Sequence, residues 1–130
     1  MNLLAYIVQH PVFLVGVGGA IGSNLRYGAG CLIRYAAVGS AMPIATTAIN
    51  IVGSFVLGCV AASVDDRLHP RYLFLGVGLC GGFTTFSTFS LEVVEGLQQG
   101  RTSEAFLLCV LNVLGGCLAL YAGFALFQAK

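Results

Sequence analysis

Eleven charged residues interrupt the chain, at positions 26, 34, 65 to 67, 71, 92, 95, 101, 104 and 130. Between them lie the uncharged stretches 1–25, 35–64, 72–91 and 105–129. A helix needs about 20 mostly apolar residues to cross a bilayer core, and each stretch can hold one. The pattern predicts an all-α integral membrane fold with four transmembrane helices, about 6–33, 43–64, 71–98 and 103–127, so that residues 1–130 form a single four-span domain. Pro43 falls in the first turn of the second span, where its missing N–H is harmless. Gly100 marks the end of the third. Gly18-x-x-x-Gly22 gives the first span a face for close helix packing, and Gly115-Gly116 gives the fourth a second small patch.

Composition agrees with this division. Charged residues make up 8% of the chain, against about 25% in soluble domains, and the mean hydropathy is +0.92. The first stretch has no basic start, runs apolar to Leu25 and lacks a small-residue cleavage site, so it reads as a span rather than a leader. Cys31, Cys59, Cys80, Cys109 and Cys117 stand singly in apolar surroundings and read as small buried hydrophobes with free thiols. His10 and His69 lack ligand spacing. A net charge of +1 says little about soluble partners, and no nucleic-acid partner is expected.

Four spans place both termini on the side of the 65–71 loop. That side holds Arg67, Arg71 and Lys130, and the other holds Arg34 and Arg101 with Arg26 near it. Lys and Arg near the span ends set orientation, and here they nearly balance. This predicts a dual-topology protein that assembles as an antiparallel homodimer.

The third span carries the candidate chemistry. Residues 81–90 read Gly-Gly-Phe-Thr-Thr-Phe-Ser-Thr-Phe-Ser. Adjacent glycines weaken a helix by about 1 kcal/mol each, so the helix is expected to break near Gly81–Thr85. Interrupted backbone is tolerated at membrane depth only where it lines a cavity or is buried in protein. Phe83, Phe86 and Phe89, at spacings of three, are expected to form one stripe, with Ser87 and Thr88 on adjacent faces. Rings with a positive edge can stabilise a dehydrated anion, and hydroxyls can replace part of its water. The same run could instead turn its rings to lipid and bond its hydroxyls back to the preceding turn; the break and the density of hydroxyls favour an anion path.

Asn50 is the only amide in the second span. It must be paired or face a wet cavity, either as an interhelical hydrogen bond or as a donor to a passing anion. Arg26, the one charge well inside the first span, could snorkel to the interface, cap helix carbonyls or set a positive potential at a pore mouth. Gly76-Val-Gly78-Leu-Cys80-Gly81 matches a dinucleotide-binding fingerprint but lacks the strand and βαβ unit that give it meaning. No Ser or Cys stands near a histidine base, and Glu92 and Glu95 have no acid–base partner. The chain is not expected to be an enzyme.

Three segments resemble the small four-helix fluoride channels of bacteria, the Fluc (CrcB) family: Gly18-Gly19-Ala-Ile-Gly22-Ser-Asn-Leu-Arg26-Tyr27, Asn50-x-x-Gly53-Ser54-Phe55-x-x-Gly58, and Gly81 to Phe89. The third is the most specific. Ser23 stands where the family usually has Ala, and the fourth span resembles it too weakly to carry any residue over. The resemblance implies a fluoride channel of the bacterial cytoplasmic (inner) membrane that exports fluoride passively through two antiparallel pores, each lined by both subunits. It implies Phe86 and Phe89 as pore aromatics, Asn50 as the amide donor, and Ser87 and Thr88 as a hydroxyl track. It also implies that the backbone carbonyls of Gly81 and Thr84 hold a central structural sodium ion (Na+). Two other classes remain to be weighed. A dual-topology small multidrug exporter needs a carboxylate in its first span, and none is present. A structural membrane subunit would have no use for the hydroxyl run.

Overall fold

The computed structural model describes residues 10–37 and 44–128, which are helical apart from short connections and contain no strand. Helix α1 (Pro11–Ala36) begins with proline, whose missing N–H is one that a first turn leaves unbonded anyway. The expected start near residue 6 lies outside the described residues. The helix continues beyond the expected end at 33, because Arg34-Tyr35-Ala36 contains no breaker and Arg34 suits a C-terminal turn. Helix α2 is Ile44–Ser63; Pro43, like Lys130, lies outside the described residues.

The third long segment, Tyr72–Gln98, has three parts. Tyr72–Cys80 is wound as a π-helix, α3 is Gly81–Phe83, and α4 is Phe86–Gln98. Helix α4 closes on Gly100, whose φ of 73° lies in the left-handed region that glycine adopts without strain. Arg101 N–H donates to the Gly96 carbonyl (2.8 Å) and Gly100 N–H to that of Leu97 (3.1 Å), the paired closure of a Schellman turn. The fourth segment, Thr102–Gln128, comprises α5 (Thr102–Val110), a π-wound stretch Leu111–Gly115, and α6 (Gly116–Gln128). Among the described residues three helices are long and apolar enough to cross a membrane: Ile44–Ser63, Tyr72–Gln98 and Thr102–Gln128. Helix α1 has the length, at 26 residues, but its glycines and two arginines lower its hydropathy. The two π-wound stretches have no counterpart in the sequence pattern.

The helices pack chiefly in two pairs, α1 against the third segment and α2 against α6. Each pair crosses on glycine. In the first, a Cβ at Gly22 would collide with the Leu79 carbonyl, and one at Gly82 would lie 2.5 Å from the Gly19 oxygen. In the second, Gly58 faces the Leu120 carbonyl and Gly123 that of Phe55, again with no room for a Cβ. Small residues let backbones approach where apolar burial gives no drive for helices to associate. The Gly115–Gly116 patch is looser, with Ile51 Cδ1 at 3.3 Å from a Cβ at Gly115; the tight crossing of the fourth segment is at Gly123.

The polar loop is tied to its neighbours. Arg67 donates to the Ala61 carbonyl (3.1 Å) and lies over the Tyr72 ring at 4.6 Å. The five cysteines are free thiols, yet only Cys80 is buried. Cys31 and Cys117 are exposed on this chain, contrary to their reading as uniformly buried, because they lie on helix faces that no other segment covers.

Candidate functional site

The break lies at Thr84 and Thr85, not at the glycine pair. Gly81 is right-handed helical (φ −64°, ψ −37°), whereas Thr84 (φ −80°, ψ 159°) and Thr85 (φ −152°, ψ 112°) are extended. β-Branched residues suit that conformation. The break thus falls within the expected 81–85, but at its threonine end rather than at the glycines expected to weaken the helix. Gly82 is needed for its approach to Gly19, while a Cβ at Gly81 would meet nothing within 4 Å.

An extended residue cannot continue a helical ladder, so its polar groups need other partners. Thr84 N–H still reaches the Cys80 carbonyl (2.9 Å). Thr85 N–H, which would have donated to the Gly81 carbonyl, donates instead to Asn50 Oδ1 (2.8 Å). Asn50 Nδ2 donates in return to the Thr85 carbonyl (3.1 Å). The asparagine side chain thus takes both backbone groups of one residue, as a neighbouring strand would. Arg26 Nη1 donates to the Thr84 carbonyl (3.2 Å), so the capping of a carbonyl is among its roles. Thr85 Oγ1 caps α4 by accepting from Thr88 N–H (3.2 Å) and also donates to Thr88 Oγ1 (2.9 Å).

Asn50 does not act alone. Its Nδ2 also donates to Asn112 Oδ1 (2.9 Å). Asn112 Nδ2 donates to Thr47 Oγ1 (2.9 Å) and to the Leu108 carbonyl (3.0 Å). Sequence reasoning passed over Asn112, although the signal that singled out Asn50 was there: it is the only amide between Thr102 and Phe127. Thr46 was also missed. Its hydroxyl donates to Glu92 Oε1, which gives Glu92 a partner from α2, while Oε2 is buried with no hydrogen-bond partner among the described residues.

The predicted site residues other than Gly81 fall into two recesses that meet at Thr85. One, of about 360 Å³, is bounded by Arg26, Arg34, Thr46, Ser87 and Thr88. The other, of about 330 Å³, is bounded by Asn50, Asn112, Thr84, Phe86 and Phe89. Phe86 and Phe89 meet edge to face, with ring centroids 5.4 Å apart and planes at 68°. Phe89 is 6% exposed and Phe86 76%. The expected three-ring stripe is reduced to this pair, because the extended residues 84–85 separate Phe83 from α4. Gly81 borders neither recess and lies on an exposed face.

The two carbonyls implied as cation ligands differ. That of Gly81 has lost its helical donor and has the character of an oxygen open to a hard cation. That of Thr84 already accepts from Arg26, so a cation there would use its second lone pair beside a guanidinium. The donor type fits sodium, more freely at Gly81 than at Thr84.

A broken apolar helix whose gap is closed by side chains from two other helices, among helices long and apolar enough to cross a membrane, defines a multi-pass membrane protein. Residues 13–124 match the profile of the family described as CrcB-like protein, Camphor Resistance (CrcB), and the chain belongs to that family. It is 43% identical over 118 residues to the protein of Idiomarina loihiensis named fluoride-specific ion channel FluC, covering 89% of this chain and 91% of that one. The Rhizobium meliloti protein of the same name is 40% identical over 124 residues, covering 93% and 98%. A third, fluoride-specific ion channel FluC 2 of Geobacillus kaustophilus, is 41% identical over 119 residues.

Proposed function

We propose that this chain is a fluoride-selective ion channel that lets fluoride leave the cell passively through the bacterial cytoplasmic membrane. The observation that carries the reading is the break at Thr84–Thr85, held by Asn50 and flanked by the edge-to-face pair Phe86 and Phe89. The names of the relatives identify the ion. A channel needs no covalent chemistry, so the protein is not an enzyme.

In this reading four helices span the membrane, and two antiparallel copies form the pores. The recess beside Phe86 is open on one side, and Phe86 itself is mostly exposed on the single chain; a second copy would supply the missing wall. An anion enters near Arg26 and Arg34, whose charges raise its local concentration. It passes Ser87 and Thr88, whose hydroxyls take the place of part of its water shell. At Phe86 and Phe89 it meets ring edges, which attract without the strength of a full charge, so the ion can also depart. Asn50 donates one amide hydrogen to the anion when that hydrogen leaves Asn112. The Gly81 and Thr84 carbonyls of both copies would hold a structural sodium ion, whose charge would offset the field of two anion-filled pores.

The test is fluoride efflux from liposomes loaded with fluoride and containing the purified protein, followed with a fluoride electrode. Rapid, protein-dependent efflux is expected. Efflux no faster than from empty liposomes would overturn the reading.

A further inference from the structure

The structure assigns Asn112 as a positioning residue that sets the orientation of the Asn50 amide and, through it, the backbone at the break. An asparagine side chain can rotate about its last torsion and exchange its oxygen for its nitrogen. In Asn50 only one of the two orientations works, because Thr85 offers a donor and an acceptor side by side, at 2.8 and 3.1 Å. The Thr85 pair alone would fix that orientation weakly, since a backbone freed from its helix can move with the side chain. Asn112 Oδ1 adds an acceptor at 2.9 Å that only the Nδ2 end of Asn50 can satisfy.

Asn112 is itself fixed from two sides. Its Nδ2 donates to Thr47 Oγ1 on α2 and to the Leu108 carbonyl one turn back on its own segment, so its oxygen is left pointing at Asn50. Its own flip would set its oxygen against the Leu108 carbonyl, which can only accept, and one NH2 group against another. Leaving buried polar groups unpaired is costly, and a half-satisfied network loses more than its separate bonds suggest. The π-wound stretch Leu111–Gly115 contains Asn112, and π turns within α-helices are often found at functional sites. Thr47, Asn50, Thr85 and Asn112 thus form one directional chain across α2, the third segment and the fourth, in which the last link is the N–H and C=O of the extended residue.

The consequence for fluoride passage rests on the channel reading, whereas the consequence for Thr85 does not. Two backbone amides one residue apart report on the difference: Thr84 N–H is held by Cys80 in its own segment, and Thr85 N–H by Asn50. Hydrogen exchange would be measured by NMR on the full chain in lipid nanodiscs, for the wild type, Asn112→Ala, Asn112→Ser and Thr47→Val. In Asn112→Ala, Thr85 should exchange about fivefold to tenfold faster with Thr84 unchanged, the size expected for losing one hydrogen bond. Asn112→Ser, whose hydroxyl still accepts, should recover part of the protection, and Thr47→Val should give a smaller loss at Thr85 alone. Fluoride efflux should fall in the same order as Thr85 protection. Unchanged exchange at Thr85, or equal acceleration at Thr84 and Thr85, overturns the assignment. If Asn112→Ala does not yield folded protein, Thr47→Val is judged by the same two amides, with faster exchange at Thr85 alone supporting the assignment and no change overturning it. A chain that moved no fluoride yet showed the selective Thr85 effect would sink the channel reading and leave the positioning role standing.

Discussion

The two recesses that meet at Thr85 have nearly the same volume, about 360 and 330 Å³, but they are built from different materials. The first is bounded by two arginines, whose charges attract an anion over distance and tolerate many geometries, and by a row of hydroxyls. The second is bounded by two amides and an aromatic pair, which act only at contact and only in one orientation. Charge that works at long range can be loosened without destroying its effect. A directional contact fails when one member turns. In the proposed channel the first recess would collect anions and the second would choose among them, with Thr85 bordering both.

The sharpest way to break this division is to remove the rings while keeping their bulk. Phe86→Ile with Phe89→Ile should abolish fluoride flux in liposomes while the assembly elutes unchanged on size exclusion, because isoleucine fills space without a quadrupole. Next in size is Asn50→Asp. The carboxylate can still accept from Thr85 N–H, but it cannot donate to the Thr85 carbonyl or to Asn112, and it repels the anion. A barrier raised by about 1.4 kcal/mol or more through lost donation and added repulsion should lower flux by at least about tenfold. Asn50→Ser, which keeps one donor, should retain more, as read in the same efflux assay.

A third substitution pair separates close approach from ligand binding. Gly82→Val forces a side chain towards the Gly19 backbone and should lower thermal stability by about 1–3 kcal/mol, the usual range for overpacking. Gly81→Ala has open space on this chain and should leave thermal stability almost unaltered in a sodium-free buffer. If Gly81→Ala is as damaging as Gly82→Val, its exposed face is occupied in the assembly.

In the first recess the effects should be smaller and sensitive to salt. Arg26→Gln should reduce fluoride flux several-fold at low ionic strength, and the deficit should shrink as salt is raised from about 0.01 to 1 M, where the screening length falls from about 30 to 3 Å. A salt-independent deficit would mean that Arg26 matters only through its bond to the Thr84 carbonyl. The mildest change expected is in insertion. Two lysines added to the 65–71 loop should bias the chain to one orientation, read with reporters on its C-terminus, where the unmodified chain should report both sides.

Local sequence carried a good deal of this arrangement and long-range pairing carried the rest. The second, third and fourth helical segments could be read from uncharged stretches, and the site of the break from ten residues rich in glycine and hydroxyls. The atoms responsible for the break could not. Gly81 and Gly82 have the composition of a helix breaker, yet both remain helical, because Gly82 is held against Gly19 and neither has positive φ. The extended backbone at Thr85 is stabilised by Asn50, 35 positions away, and Asn50 is oriented by Asn112, a further 62 positions along. No spacing rule links such residues. The only local clue was an unpaired amide in each of two apolar stretches, and amides in apolar stretches tend to find one another. The Thr46–Glu92 pair likewise depends on a neighbour from another helix.

In the proposed channel the path beside the break conducts fluoride and rejects larger anions without coupling to another ion. This is tested most directly by planar-bilayer recording of the purified protein, with fluoride on one side, chloride on the other and equal pH on both. The account predicts a steady current whose reversal potential follows the fluoride gradient and does not move when chloride is varied. A reversal potential that follows chloride, or a current that appears only with a proton gradient, would contradict it.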